Sequence, residues 1–200
     1  MYTLYCLPGT CSIASEAVLH ELNQPVRVIM RGDVADYTAI NPVGAVPALV
    51  DGDNVICEGA AIILHLLEKH QSSMLPASGI ARTKAIESIM FANATMHPAY
   101  GRLFFLKRVM PEGEAKMQTL QAAADAVSKV WQAAEIRLGD KPFLGGNEPG
   151  AADILLTVYA AWGAYFPVNI TIGPKAQAMI AAVKARPAFQ KAVASHSPKA

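Results

Sequence analysis

Cysteine and charge are both scarce in this 200-residue chain. Its three cysteines, Cys6, Cys11 and Cys57, form neither the even set of a secreted disulfide framework nor a metal-type C-x-x-C pair, which points to free thiols and to no metal site. Charged residues make up only 16%, with 17 Lys and Arg against 16 Asp and Glu for a formal charge of +1. No long run of one sign occurs, so the electrostatic footprint of a nucleic-acid binder is missing. Long apolar runs are missing too. The most apolar stretch, Ile154 to Ile170, is shorter than the roughly 20 residues of a membrane-crossing helix. It also contains Pro167 and Asn169, and so reads as a buried helix. The start, Met1-Tyr-Thr-Leu-Tyr, lacks the basic segment and apolar core of a secretory leader, and a cytoplasmic location is expected.

What the chain does have is apolar bulk. Hydrophobic residues account for 52% of it, enough to build a core in each of one or two domains without disulfide staples. The first half alternates in type. Tyr2 to Cys6 reads as a strand, and Ile13, Val18, Leu19 and Leu22 then recur at helical spacing. Pro25 precedes a second strand, Val26 to Met30. Pro47 to Val50 and Asn54 to Cys57 flank an Asp51-Gly52-Asp53 turn of hairpin type. Arg31 to Asn41 reads as a loop with one irregular helical turn, and Ile62, Ile63, Leu66 and Leu67 mark a helix from Gly59 to Lys69. The Ser-rich stretch from Gln71 to Gly79 separates this half from one that is helical throughout, with helices expected at about 80–109, 113–138, 151–165, 173–184 and 187–195. The fold class is therefore α/β plus all-α: a βαβαββα domain over residues 1–76 and an all-helical domain over 79–200.

Three segments carry chemistry. Leu7-Pro8-Gly9-Thr10-Cys11-Ser12 lies where the first strand hands over to the first helix, which puts Cys11 at a helix N-terminus. Unpaired backbone N–H groups and the peptide dipoles behind them favour a thiolate there and are expected to lower the thiol pKa. Asn41-Pro-Val-Gly-Ala-Val46-Pro47 leads into a strand with proline at its head. This resembles the segment of thioredoxin-like folds in which a cis proline leaves the preceding residue, here Val46, free to pair with a peptide backbone. Cys57-Glu58-Gly59-Ala60-Ala61-Ile62 opens a second helix, whose N–H groups suit a carboxylate while Glu58 suits an ammonium group. Each segment has a plainer reading as well: a cysteine packed under the sheet, a trans proline at a strand start, and a first-turn helix charge.

In order and spacing these segments, with Ala152-Asp153 before a buried helix, resemble the cytosolic glutathione transferases, most closely the bacterial beta class, over essentially the whole chain. The resemblance implies glutathione as co-substrate, with Val46 and Pro47 at its backbone, Glu58 and Gly59 at its γ-glutamyl end and Arg31 at its glycine carboxylate. It implies that Cys11 lies beside the glutathione sulfur and that His97 on the first long helix is nearby. The alternative for His97 is a helix histidine satisfied by a backbone carbonyl. Met90, Asn93, His97 and Tyr100, with Phe104 on a related face, are the residues expected around a small hydrophobic electrophile. A homodimer is implied. The implied activity is thiolate attack on the electrophile or thiol exchange with it. The alternatives are a binding or regulatory protein of this fold with little turnover, and a glutathione-dependent isomerase, lyase or dehalogenase.

Four departures from the family pattern accompany the resemblance. Cys6 stands where a strand tyrosine is usual, and Met90 where an asparagine can reach the site. Residues 32–37 form a shorter stretch than usual beside the glycine end of the peptide. Gly150 replaces the Ser or Thr of a capping box whose acidic half, Asp153, is kept, at an expected cost below about 1 kcal/mol.

Overall fold

A computed structural model describes residues 1–196 of the chain. Strand β1 (Tyr2–Cys6) turns Tyr2, Leu4 and Cys6 into the core and the intervening residues outward, the alternation its sequence predicts. β2 (Val26–Met30) joins it in parallel after helix α1 (Ser12–Glu21). On the other side β3 (Ala48–Asp51) pairs antiparallel with β1, setting Leu49 opposite Leu4, and β4 (Asn54–Cys57) closes the order β2-β1-β3-β4. Asp51 pairs with Asn54 across a two-residue turn whose first residue, Gly52, has φ +60°, a value that glycine adopts at little cost. Where one short helical turn is expected between β2 and β3, two 3₁₀ turns occur, Arg31–Asp33 and Tyr37–Ala39. Helix α2 (Gly59–Lys69) buries Ile62, Ile63, Leu66 and Leu67.

The rest is helical. α3 (Gly79–Met90) runs through a π-helical turn, Phe91–Met96, into α4 (His97–Val109). The widened turn directly precedes Pro98, whose ring would collide with the carbonyl of residue 94 in a regular helix and which offers no N–H to it. α5 (Glu114–Leu138) packs along α4, and α6 (Ala151–Ala161) is the central helix, with every residue from Ala151 to Tyr159 buried. A 3₁₀ turn at Trp162–Tyr165 follows, then α7 (Pro174–Lys184) and α8 (Pro187–Ser195). Gly150 has no side chain with which to cap α6, but its carbonyl accepts the Asp153 N–H at 3.1 Å. Asp153 Oδ2 accepts the Gly150 N–H at 2.7 Å, and Oδ1 accepts the Leu144 N–H at 3.0 Å.

The two halves meet on α1, which lies against α2, α6 and α8. At its centre the buried Glu16 carboxylate accepts the Ser195 hydroxyl at 2.7 Å and pairs with His196 Nε2 at 2.8 Å and His20 Nε2 at 3.1 Å. Arg186 forks onto Glu21 at 2.6 and 2.7 Å. No helix among the described residues is long and apolar enough to cross a membrane.

Candidate active site

The Leu7–Ser12 turn between β1 and α1 is shaped by its own side chains. The Thr10 hydroxyl donates to the Leu7 carbonyl at 2.8 Å and shares a 2.6 Å bond with the Ser12 hydroxyl. Gly9 has φ +68°, and a side chain there would strike the Tyr165 hydroxyl, so position and sequence agree on glycine. Cys11 immediately precedes α1, and its thiol donates to the Val46 carbonyl at 3.5 Å. The Val46–Pro47 bond is cis. The loop that carries it is braced from behind, where the Ala45 carbonyl accepts the Tyr37 hydroxyl at 2.9 Å and the Asn41 amide at 2.8 Å.

Cys11 and Val46 open onto a cleft of about 540 Å³ whose far wall is His97, Phe104, Trp162 and Tyr165. The Trp162 indole N–H donates to the Gly9 carbonyl at 2.7 Å, and its ring packs edge-on against His97 and Phe104. At the head of α2, Glu58 takes φ +70°, a left-handed conformation that is strained for a non-glycine residue, and its carboxylate is exposed. Gly59 lies against Pro47, where an added methyl group would still make only ordinary contact at 3.7 Å. Arg31 is exposed beside Gly44, with its guanidinium 5.6 Å from the centre of the Tyr37 ring.

The electrostatics of the site correct one expectation. Burial pushes the Cys11 thiol up to about 11, more than offsetting the backbone N–H groups of Cys11 and Ser12 that favour the anion, and the Glu58 charge adds to the rise. The helix-terminus effect is therefore present but outweighed, and Cys11 is a neutral thiol at rest. Burial also lowers the His97 pKa, with the Glu58 charge opposing, which favours the uncharged imidazole.

Cys11, Val46 and His97 are thus gathered at one cleft, with Pro47, Glu58 and Gly59 on the strand and helix start beside it. The second-substrate set divides. Tyr100 does not line the cleft: it is fully buried, its hydroxyl accepts the Trp131 indole N–H at 2.9 Å, and burial raises it to about 12. Met90 ends α3 packed against the core, and Asn93 sits half-buried in the π-helical turn; neither lines the cleft. Phe104 does, as its position on a related face of the helix suggests. Trp162 and Tyr165 are additions that the sequence reading did not single out. Their signal was an aromatic cluster at the end of the Ile154–Ile170 run, read as core alone. Cys6 is buried, with its thiol directed to the Ile29 carbonyl at 3.6 Å.

Known proteins share this fold. Residues 14–74 match the N-terminal domain of the glutathione S-transferases and residues 92–187 match their C-terminal domain. The chain is 33% identical over 168 residues to glutathione S-transferase 3 of Zea mays, covering 80% of this chain and 75% of that protein. Among solved structures, a sphingomonad glutathione S-transferase complexed with glutathione superposes with a TM-score of 0.84 at 26% identity, over 98% of this chain and 100% of that one. A bacterial beta class glutathione S-transferase of Sphingomonas chungbukensis gives 0.83 at 25% identity, over 98% of each chain. A thioredoxin-like half that presents a cysteine and a cis proline to an aromatic wall of a helical half, together with these matches, places the chain in the glutathione S-transferase family.

Proposed function

We propose that this chain is a glutathione transferase acting on small hydrophobic electrophiles, with residues 1–76 holding glutathione and residues 79–200 supplying the second pocket. The observation that carries the reading is the Cys11 thiol 3.5 Å from the Val46 carbonyl at the mouth of an aromatic-walled cleft. A glutathione backbone laid along Val46 pairs as an added strand would. Its γ-glutamyl carboxylate meets the free N–H groups at the start of α2, its ammonium group meets Glu58, and Arg31, exposed beside Gly44, is the cation for its glycine carboxylate. Its sulfur then falls beside Cys11, and the electrophile lies against His97, Phe104, Trp162 and Tyr165. The solved complex of a sphingomonad relative with glutathione supports the choice of peptide. Two chemistries share this geometry: attack by the glutathione thiolate on the electrophile, and thiol–disulfide exchange through Cys11. The reading includes a cytoplasmic, two-fold symmetric dimer, which light scattering tests.

Intact-mass measurement after treatment with oxidised glutathione decides the exchange branch. One glutathione adduct is expected on the native protein and none on Cys11→Ala. Conjugation of glutathione to an aromatic halide by Cys11→Ala at close to the native rate is expected, because the bound peptide brings its own sulfur. Failure of the native protein to bind glutathione in calorimetry overturns both branches. Binding without either activity favours the non-catalytic alternative.

A further inference from the structure

The Leu7 carbonyl stands at the root of the turn that carries Cys11, and it is held from two sides. From within the turn it accepts the Thr10 hydroxyl at 2.8 Å. From the end of α8, 189 positions along the chain, His196 Nδ1 lies 3.3 Å away. The other ring nitrogen, Nε2, is 2.8 Å from Glu16 Oε2, and the His196 side chain is only 1% exposed. A carbonyl oxygen can only accept, and so can an ionised carboxylate. Glu16 is ionised at neutral pH, because burial, which would raise it, is outweighed by hydrogen bonds from His196, Ser195 and His20. A neutral imidazole has one N–H to offer these two acceptors, whereas the imidazolium has one for each. His20 differs, since its Nε2 meets Glu16 Oε1 at 3.1 Å and a single N–H suffices. Few other charges surround the pair. Arg186, at the far end of α8, is forked onto Glu21. The Cys6 thiol at the end of β1 is pushed up to about 12 by burial and then by the Glu16 and Asp33 charges, and stays neutral.

We propose that His196 is a positioning residue for Cys11: doubly protonated, its ring clamps the Leu7 carbonyl of the turn to the Glu16 carboxylate of α1, and the Cys11 thiolate reacts fastest in that state. This deepens the exchange branch above and rests on it for its chemistry. In that branch the Cys11 thiolate attacks one sulfur of oxidised glutathione. A new S–S bond joins Cys11 to one glutathione, the old S–S bond breaks, and the second glutathione leaves with the electron pair as its thiolate. His196 takes no part in this electron flow and fixes where the attacking sulfur stands. Loss of one ring proton leaves a single N–H for two acceptors. The carboxylate, the stronger acceptor, keeps it, and Nδ1 then turns a lone pair toward the Leu7 oxygen 3.3 Å away. Two lone pairs face to face repel. The carbonyl is left to the turn's own Thr10 and Ser12 hydroxyls, and its anchor to α1 and α8 is lost. A sulfur carried on a loosened turn spends less of its time in line with the disulfide it attacks.

Nuclear magnetic resonance of the native protein with ¹⁵N-labelled histidine counts the ring protons, and the amide signals of Thr10 and Cys11 report on the turn. His196 is expected to carry a proton on both nitrogens on the acid side of its titration and on Nε2 alone on the alkaline side, with the two amides moving at the same midpoint. His196→Gln, which neither gains nor loses a proton, is expected to abolish that movement. Glutathionylation by oxidised glutathione, followed by intact mass with Cys11→Ala as background for Cys6 and Cys57, is then compared between native protein and His196→Gln at each pH. The variant is expected to be about tenfold slower on the acid side of the midpoint and within about twofold of native on the alkaline side. A ratio that stays constant with pH marks a histidine that only stabilises the fold, and overturns the proposal. A native ring with one proton at every pH at which the protein is folded overturns it too, as do turn amides that ignore the titration. Should His196→Gln fail to fold, the ring and amide signals of the native protein decide alone. Those signals need no glutathione, so a native protein that forms no mixed disulfide sinks the exchange branch while the clamp is still decided.

Discussion

The indole of Trp162 and the carbonyl of Gly9, 153 positions apart in the chain, are joined by a 2.7 Å hydrogen bond. One side chain of the helical half thereby holds the turn that carries Cys11. The Tyr165 hydroxyl packs against the same glycine. Trp162→Phe keeps an aromatic ring in the cluster and loses the donor. A net cost of about 1 kcal/mol in stability is expected from one hydrogen bond. A slowing of Cys11 glutathionylation by roughly 5- to 10-fold is expected from a turn that no longer holds its sulfur in place. Thermal melting and a mass time course with oxidised glutathione measure the two. An unchanged time course would mean that the turn is fixed by its Thr10 and Ser12 bonds alone.

Glu16 and His196 test the seam between the halves. Burial alone would raise the Glu16 carboxyl, but hydrogen bonds from His196, Ser195 and His20 outweigh it and hold the group below the usual carboxylate range. A carboxyl depressed in the folded state gives stability that is present above its unfolded pKa, about 4.5, and is lost as pH falls through the folded value. Urea unfolding of the native protein is expected to weaken on acidification below that point, and Glu16→Gln to flatten this limb. His196→Ala leaves a buried carboxylate short of a partner and is expected to cost about 3 kcal/mol or more at neutral pH. A smaller loss than 1 kcal/mol would show that Ser195 and His20 suffice.

Much of this architecture is legible before folding because its determinants are local. Gly52 in a two-residue turn, the period-2 burial of Tyr2, Leu4 and Cys6 and the 3.6-period face of α2 each follow from a few neighbouring residues. The site is legible only as far as its backbone is. The segments around Cys11, Val46 and Glu58 are placed by turns and helix starts; Cys11 and Val46 line one cleft, and Glu58 stands at the head of α2. What sequence cannot supply is which neighbour covers each side of a helix. Tyr100 and Phe104 stand one turn apart on α4, yet Trp131 takes the first into the core and the second borders the cleft. The Cys11 thiol is the same lesson in electrostatics: a helix N-terminus can be read from spacing, whereas the burial that outweighs it depends on how the folded chain packs around the thiol.

Asp153 carries the cap of α6 by itself. Burial raises its carboxyl to about 6, against the pull of the Leu144 and Gly150 N–H groups. The sign is opposite to that of Glu16: a carboxyl raised in the folded state binds more protons there than when unfolded, so stability falls as pH rises from about 4 to 6, by about 3 kcal/mol for this group. Asp153→Ala deprives two backbone N–H groups of their acceptor at roughly 1–3 kcal/mol each. A loss of about 2–5 kcal/mol is expected at neutral pH, together with removal of the decline between pH 4 and 6. A native profile that is flat over that interval would mean that the two backbone donors keep the carboxyl ionised despite its burial.

Ser15 offers the converse experiment, a substitution expected to strengthen the fold. Its hydroxyl is buried in α1 without a partner, one helical turn beyond Cys11. Ser15→Ala removes that unpaired group and puts the best helix former in its place, for an expected gain of about 1–2 kcal/mol. Ala occupies less space than Ser, so no neighbour has to move. Denaturant midpoints for the native protein and the variant, compared at constant m-value, measure the change. A loss of stability instead of a gain would reveal that the hydroxyl is satisfied in solution, as a bound water between α1 and its neighbours would do.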